Sequence, residues 1–273
     1  MAVERWLFDG WDIEQAGLRG WEMRDGTGVV PVPEGPNVRT YTRTGEIWRP
    51  KKFGASRFVL NLWIVAADRA AADAQFNLIL RAVARPWEQT KVTRHKASGE
   101  IIECLAELGA TIRPSFMGRG GWRAQIEFNV PSGVWEEPTT RTFTATAGAT
   151  LPKTLTLTAL AESTAPNETG VFTIYGPITN PRIVETTGGV DGDWFQYNGT
   201  VPNNQALIVN SGTWALAGLG GFVPNQSLAY SSNDRFMPIH PGRPGQTPTV
   251  QLRGTSGGTA TNLHVSARRT YLV

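Results

Sequence analysis

Cysteine is nearly absent: Cys104 is the only one in 273 residues, so no internal disulfide can form. That excludes the small stapled scaffolds of secreted proteins and fits synthesis in a reducing cytoplasm. No run approaches the roughly 18 apolar residues of a membrane-crossing helix, which excludes that class of anchor. The N-terminal MAVERWLFDGWDIEQ carries acids and tryptophans instead of a basic start and an apolar stretch, unlike a secretory leader. Charge is sparse as well, at 18% Asp, Glu, Lys and Arg with a net +3. The composition is 40% apolar with 30 Gly and 18 Pro, which excludes collagen-like, coiled-coil and disordered chains and leaves a turn-rich globular protein.

Catalytic signatures are missing too. There is no GxxxxGK[ST] loop, GxSxG elbow, HExxH pair or CxxC. The glycines at Gly118, Gly120 and Gly121, and at Gly218, Gly220 and Gly221, do not follow the GxGxxG spacing and read as turns. His95, His240 and His264 have no ligand-like spacing, whereas a zinc site needs three or four converging ligands. Asp191 and Asp193 in GGVDGDW resemble the start of a calcium loop, but no glutamate stands at its twelfth position, so a solvated turn is expected. A glycosidase carboxylate pair is disfavoured in the second half, which has seven acids and two Trp. The expectation is no enzyme, no cofactor and no metal.

What is present changes abruptly near residue 136. Residues 1–136 hold eight of the ten Trp and 34 of the 49 charged side chains, while residues 137–273 hold 23 of the 30 Thr. The joint, Pro131-Ser132-Gly133-Val134-Trp135-Glu136-Glu137-Pro138, brackets a glycine with two prolines that stiffen the connector. Two domains are expected, 1–136 and 137–273.

The first half predicts one helix over Arg69 to Arg85, about 26 Å long, with Ala72, Phe76, Ile79 and Val83 on its apolar stripe. Asp68 is the expected N-cap and Pro86 the stop. Trp122 to Val130 alternates with period two, as a strand with one wet face. Phe58 to Val65 (FVLNLWIV) is apolar on both faces except at Asn61, so both faces need cover, from the helix, a sheet or another subunit. Residues 99–110 fit either a helix or a strand. The strand is favoured because KVTRH makes a hairpin partner across Ala97-Ser98-Gly99.

The second half reads as β throughout. TLTLTAL (154–160), VFTIYG, PRIVET, WFQYNG, QALIVN, FMPIHP, TVQLRG and NLHVSARRTYLV are separated by turn clusters such as Pro202-Asn203-Asn204. About eight short strands with these spacers predict an antiparallel sandwich or barrel.

The strongest local charge feature is RTYTRTGEIWRPKKFGASR, residues 39–57. Arg39, Arg43, Arg49, Lys51, Lys52 and Arg57 alternate with Tyr41, Trp48 and Phe53. Basic groups beside aromatic rings suit nucleic acid, but Glu46 interrupts the run and residues 1–136 net only +2. A long hairpin with a solvated or subunit-facing edge is the favoured reading, and nucleic acid is not expected as a partner. Trp194, Tyr197 and Trp214 are candidates for a glycan platform in the second half.

The order of these features resembles a known family. A β domain with one covering helix ends at Pro131, Trp135 and Pro138. A threonine-rich β domain follows, carrying GPITNPRI from Gly176 to Ile183, then Trp194-Phe195-Gln196-Tyr197-Asn198-Gly199 and Gln205-Ala206-Leu207-Ile208-Val209. Over essentially its whole length the chain is similar to the distal tail proteins of long-tailed, non-contractile bacteriophages, also called minor tail or phage tail family proteins. The resemblance implies a mainly β fold with a ring-forming N-terminal domain and an outward, galectin-like antiparallel β-sandwich. It implies a structural virion protein of the tail tip, made in the host bacterial cytoplasm and assembled as a six-copy homohexamer. A hairpin from each subunit would belt its neighbour, with Arg43, Trp48, Arg49, Lys51, Lys52 and Phe53 as the inter-subunit residues. The implied partners are the tail tube protein, the tail-tip hub or tail-associated lysin, the tape measure and receptor-binding proteins. The chain lacks the inserted sugar-binding modules of extended family members. The alternative reading is a carbohydrate-binding module for host envelope glycans.

Overall fold

The computed structural model describes residues 4–13, 21–29, 33–34, 38–39, 46–47, 52–110, 112–117, 121–230 and 237–272. The chain divides into two compact units, residues 1–138 with 272–273, and residues 139–271. Strands dominate both units, every named strand pair is antiparallel, and the one α-helix among the described residues lies in the first unit.

The first unit contains β1 (Arg5–Phe8), β2 (Trp11–Asp12), β3 (Trp21–Val29), β4 (Pro33–Glu34), β5 (Val38–Arg39), β6 (Glu46–Ile47), β7 (Lys52–Phe53) and β8 (Ser56–Val65). The helix α1 (Arg69–Val83) follows, then β9 (Thr90–His95), β10 (Ile101–Leu108), β11 (Arg113–Phe116), β12 (Gly121–Val130) and β13 (Trp135–Glu136). Its main sheet runs β2-β1-β9-β10-β12-β8-β3. β10 changes partner along its length: Ile101 to Ala106 pair with β9, whereas Glu107 and Leu108 pair with β12. One strand therefore feeds two layers, and the sheet closes over its own apolar face.

Within residues 99–110, Ile101–Leu108 form the strand β10. Ile102, Cys104 and Ala106 are buried while Ile101 and Leu105 are exposed, the period of two that a strand requires. Gly99, at φ 89°, supplies the left-handed residue of the β9–β10 turn.

The core between the layers is aromatic. Phe58 stacks on Phe128 with centroids 5.0 Å apart, and Trp6 stacks on Phe58 at 5.6 Å. Phe8 meets Phe128 at 5.6 Å and Trp135 meets Phe58 at 5.2 Å. Each such pair adds roughly 0.5–1.5 kcal/mol beyond area burial. Two of the tryptophans, Trp6 and Trp135, are thus core residues.

Helix α1 starts as the sequence predicts, with Asp68 Oδ1 accepting from the Ala71 N–H at 2.8 Å. It ends at Val83, two residues short of the predicted Arg85. Ala72, Ile79, Ala82 and Val83 are buried, while Phe76 is half-buried and stacks on Trp122 at 5.9 Å.

The second unit holds β14 (Arg141–Thr144), β15 (Lys153–Thr156), β16 (Val171–Tyr175), β17 (Ile178–Thr179), β18 (Arg182–Glu185), β19 (Trp194–Tyr197) and β20 (Thr200–Val201). It continues with β21 (Ala206–Asn210), β22 (Ala215–Leu219), β23 (Leu228–Tyr230), β24 (Thr249–Arg253), β25 (Ser256–Gly257) and β26 (Asn262–Ala267). Two five-stranded antiparallel sheets, β14-β26-β16-β21-β22 and β15-β24-β18-β19-β23, bury their inner faces in one core. Phe172, Leu207 and Val265 enter it from the first sheet; Leu155, Ile183, Phe195 and Leu252 enter from the second. Three readings change. TLTLTAL is strand only to Thr156 and then turns into a short 3-10 helix at Thr158–Leu160. Within FMPIHP, Ile239 makes an isolated bridge to Asn167 instead of a strand. The strand β22 lies in a Gly- and Ala-rich stretch that carries little β propensity.

Candidate functional site

The candidate surface is built from strands and side chains that the two cores leave available. The first such feature is an arm. β3 and β8 pair from Trp21↔Ile64 to Val29↔Arg57 within the main sheet of the first unit. Beyond them the same two chain segments keep pairing, as Pro33↔Phe53 and Glu34↔Lys52, then as Val38↔Ile47 and Arg39↔Glu46. Among the described residues these distal strands pair only with each other, as two-stranded ribbons. The ascending limb thus starts at Pro33, six residues earlier than the 39–57 segment singled out by its charge. An isolated two-stranded hairpin is marginal in water.

Of the predicted inter-subunit residues, Lys52 and Phe53 form β7. Arg43, Trp48, Arg49 and Lys51, with Tyr41, lie outside the described residues.

The second feature is the outer face of β8. Phe58, Leu60, Leu62 and Ile64 are buried, as FVLNLWIV predicted for one side. On the other side Val59 and Trp63 are only half-buried and Val65 is 57% exposed. The cover expected for both faces is thus incomplete within the first unit. Trp87, between α1 and β9, is 75% exposed beside a shallow groove lined by Ala84, Arg85 and Glu107. Exposed aromatic rings of this kind are the residue type enriched at interface hot spots.

In the second unit the three glycan-platform candidates separate. Tyr197 is 2% exposed and belongs to the core, with its hydroxyl accepting from the Asn225 N–H at 3.3 Å. The inward phase of β19 places it there, so it offers no face to a sugar. Trp214 is 44% exposed and meets Tyr230 edge-on at 5.1 Å. Trp194, in the opposite phase of β19 from Phe195 and Tyr197, projects on the outer side of its sheet, and the Arg182 guanidinium lies 4.0 Å above its ring.

The histidines are dispersed. His95 pairs in β9, His264 meets Tyr175 at 4.7 Å, and His240 Nε2 lies 3.3 Å from Asp193 Oδ2 and 3.9 Å from Glu185 Oε2. Burial pushes the Glu185 carboxyl above the usual glutamate range, although His240 and the Thr187 hydroxyl pull the other way. Asp191 turns outward to a two-pronged contact with Arg253, whereas Asp193 is buried, so the two aspartates of GGVDGDW do not converge. Among the described residues no cluster of three or more His, Cys, Asp or Glu is placed to hold a metal ion, and no helix is long and apolar enough to cross a membrane.

No protein-family model matches the chain, and no curated protein sequence matches it. Solved structures do. The SPP1 phage Dit protein, described as a paradigm of the hub adsorption apparatus in phages infecting Gram-positive bacteria, shares 12% identity at a TM-score of 0.65. The match covers 99% of this chain and 100% of that one. The phage p2 baseplate in its activated conformation, with strontium and with calcium, aligns at 8% identity, 98% coverage of each chain and a TM-score of 0.42. The SPP1 likeness shows a common fold running through both units.

Proposed function

We propose that this chain is a structural hub component of a bacteriophage tail tip and catalyses no reaction. Its first unit closes with identical copies into a ring, six in number, and its second unit faces outward. The observation that supports this reading most directly is the end-to-end likeness to the SPP1 Dit fold. It is joined by an arm whose strands pair only with each other among the described residues. A head-to-tail interface closes into a ring when its rotation divides a full turn, and an arm reaching one neighbour supplies such an interface. The ring would join the tail tube to the hub proteins and adsorption apparatus of the virion, with Lys52 and Phe53 on the belting arm.

The test is mass. Light scattering of the purified chain at micromolar concentration is expected to show a multiple of 29.7 kDa, six copies in the complete ring. Replacing residues 33–53 by a short Gly-Ser turn is expected to release monomers that retain the native circular dichroism. A wild-type chain that stays monomeric both in solution and in images of the tail tip overturns the reading.

A further inference from the structure

The outer side of the second sheet carries two arginines in an arrangement that calls for an explanation. Arg182 on β18 and Arg253 on β24 are register partners. Their chain neighbours Ile183 and Leu252 point into the core, so both arginines point outward. Like charges directly opposite one another on adjacent strands are destabilising. For Arg253 the fold supplies compensation: both Nη atoms reach the Asp191 carboxylate at 2.6 Å. Its Nε also donates to Gln251 at 3.0 Å.

Arg182 makes no hydrogen bond to a carboxylate among the described residues, and Asp191, already held by Arg253, acts on it only through space. The Arg182 guanidinium carbon lies 4.0 Å from the centroid of the Trp194 ring, its Nε is buried without an acceptor, and its guanidinium donates to no group among the described residues. Beneath this pair Val184 is fully buried, although it belongs to the outward phase of β18. The indole and guanidinium are thus held together in a cation–π contact on the outward side of the sheet. The Nη donors of a rigid planar, charged fork favour an oxyanion over any neutral partner.

We infer that the outward face around Arg182, Trp194 and Arg253 is a binding site for an anionic polysaccharide, whose carboxylate, phosphate or sulfate groups engage Arg182. The arrangement excludes the alternatives on physical grounds. A neutral sugar needs an open aromatic face, whereas the Trp194 ring already holds the Arg182 guanidinium at 4.0 Å. A nucleic acid needs rings free for base stacking and a basic stripe. Here the indole is occupied, and two arginines against Asp191 leave a single net positive charge. Around the Arg182–Trp194 contact lie groups suited to sugar hydroxyls. Gln196 is the register partner of Arg182, and Gln196 Nε2, Asn198 and Ser227 form a chain of contacts at 3.0 and 3.3 Å. On the other flank Gln251 Nε2 donates to Thr154 Oγ1 at 3.0 Å.

Dextran sulfate and unmodified dextran, which share a backbone and differ in charge, separate the possibilities by calorimetry on the full chain. Binding of dextran sulfate but not of dextran is expected. Arg182→Gln should weaken it about tenfold, as loss of a charge-assisted contact does. Arg182→Lys, which keeps a point charge but not the fork, should fall between. Arg243→Gln, at an exposed arginine elsewhere in the unit, should leave binding unchanged. Thermal melts of each variant verify folding. Equal affinity of wild type and Arg182→Gln overturns the inference, as does equal binding of neutral dextran. Equal competition by an oligothymidylate would assign the surface to nucleic acid instead and overturn it as well. Because the measurement does not depend on oligomeric state, its failure leaves the ring reading untouched.

Discussion

The indole Nε1 of Trp122 donates to Asp73 Oδ1 at 2.7 Å, tying the helix of the first unit to the strand that it covers. Asp73 lies off the apolar stripe of Ala72, Phe76, Ile79 and Val83, yet it accepts from a strand tryptophan. Arg69 supports the contact from two sides, 3.8 Å from Asp73 and 4.7 Å from the Phe116 ring. Asp73→Ala is expected to cost about 1–2 kcal/mol, since it removes a hydrogen bond to a charged acceptor at a partly exposed site. Asp73→Asn, which keeps the acceptor oxygen, should recover most of it. Urea denaturation measures both; equal losses in the two variants would show that the bond contributes nothing.

Phe128 touches both Phe8 and Phe58 where the layers meet. Phe128→Ala is expected to lose about 3–5 kcal/mol, the range for deleting a buried ring and leaving a cavity. Phe128→Leu should lose clearly less. Comparison of their thermal midpoints checks the order.

Cys104 is buried and its thiol is pushed far above the ordinary thiol range, by burial first and by the neighbouring Glu103 second. A thiol that is neither ionised nor accessible does not react. In native protein at pH 8, labelling by an aromatic disulfide reagent is expected to be negligible over minutes. In denaturant it should reach one label per chain, with a midpoint that follows unfolding of the first unit. Rapid labelling of the native protein would contradict the described position of β10.

Glu185 provides a pH dependence whose sign can be worked out. Its folded pKa is raised, so folding favours the protonated acid over the carboxylate. The stability that this contributes is complete below the unfolded value of about 4.3 and is lost as pH rises through the folded one. Glu185→Gln mimics the protonated form and does not titrate. The variant should therefore gain on wild type as pH increases from about 4 to 7. Denaturant midpoints at several pH values measure the gap; a gap that is flat or narrows with pH refutes it.

Gly176 opens the GPITNPRI segment and pairs with Asn203 in a parallel bridge. A Cβ there would strike the carbonyl oxygens of Val201 and Pro202, both backbone atoms that cannot swing aside. Gly176→Ala is expected to destabilise by about 2–3 kcal/mol through this overpacking. Gly221→Ala, where a Cβ meets nothing but φ is positive, isolates the separate cost of backbone strain, about 1 kcal/mol. Thermal melts distinguish them.

Local rules alone determined a large part of this protein. Asp68 capped the helix because a carboxylate can satisfy an orphan N–H from that position, whatever the helix later packs against. The alternation of Trp122 to Val130 determined which side of β12 is buried, and Gly99 determined where β9 and β10 turn. Such signals need only near neighbours in the chain. The surfaces were decided elsewhere. Tyr197 and Trp194 stand three residues apart and look alike in the sequence as aromatic candidates, yet strand phase sends one into the core and the other outward against Arg182. The pairing of Arg182 with Arg253 spans 71 positions of chain, and the capture of Arg253 by Asp191 spans 62. No local pattern encodes either. A charge or ring acquires its partner only when distant strands meet in register, so composition foretold a mainly β architecture while tertiary packing chose which side chains it presents.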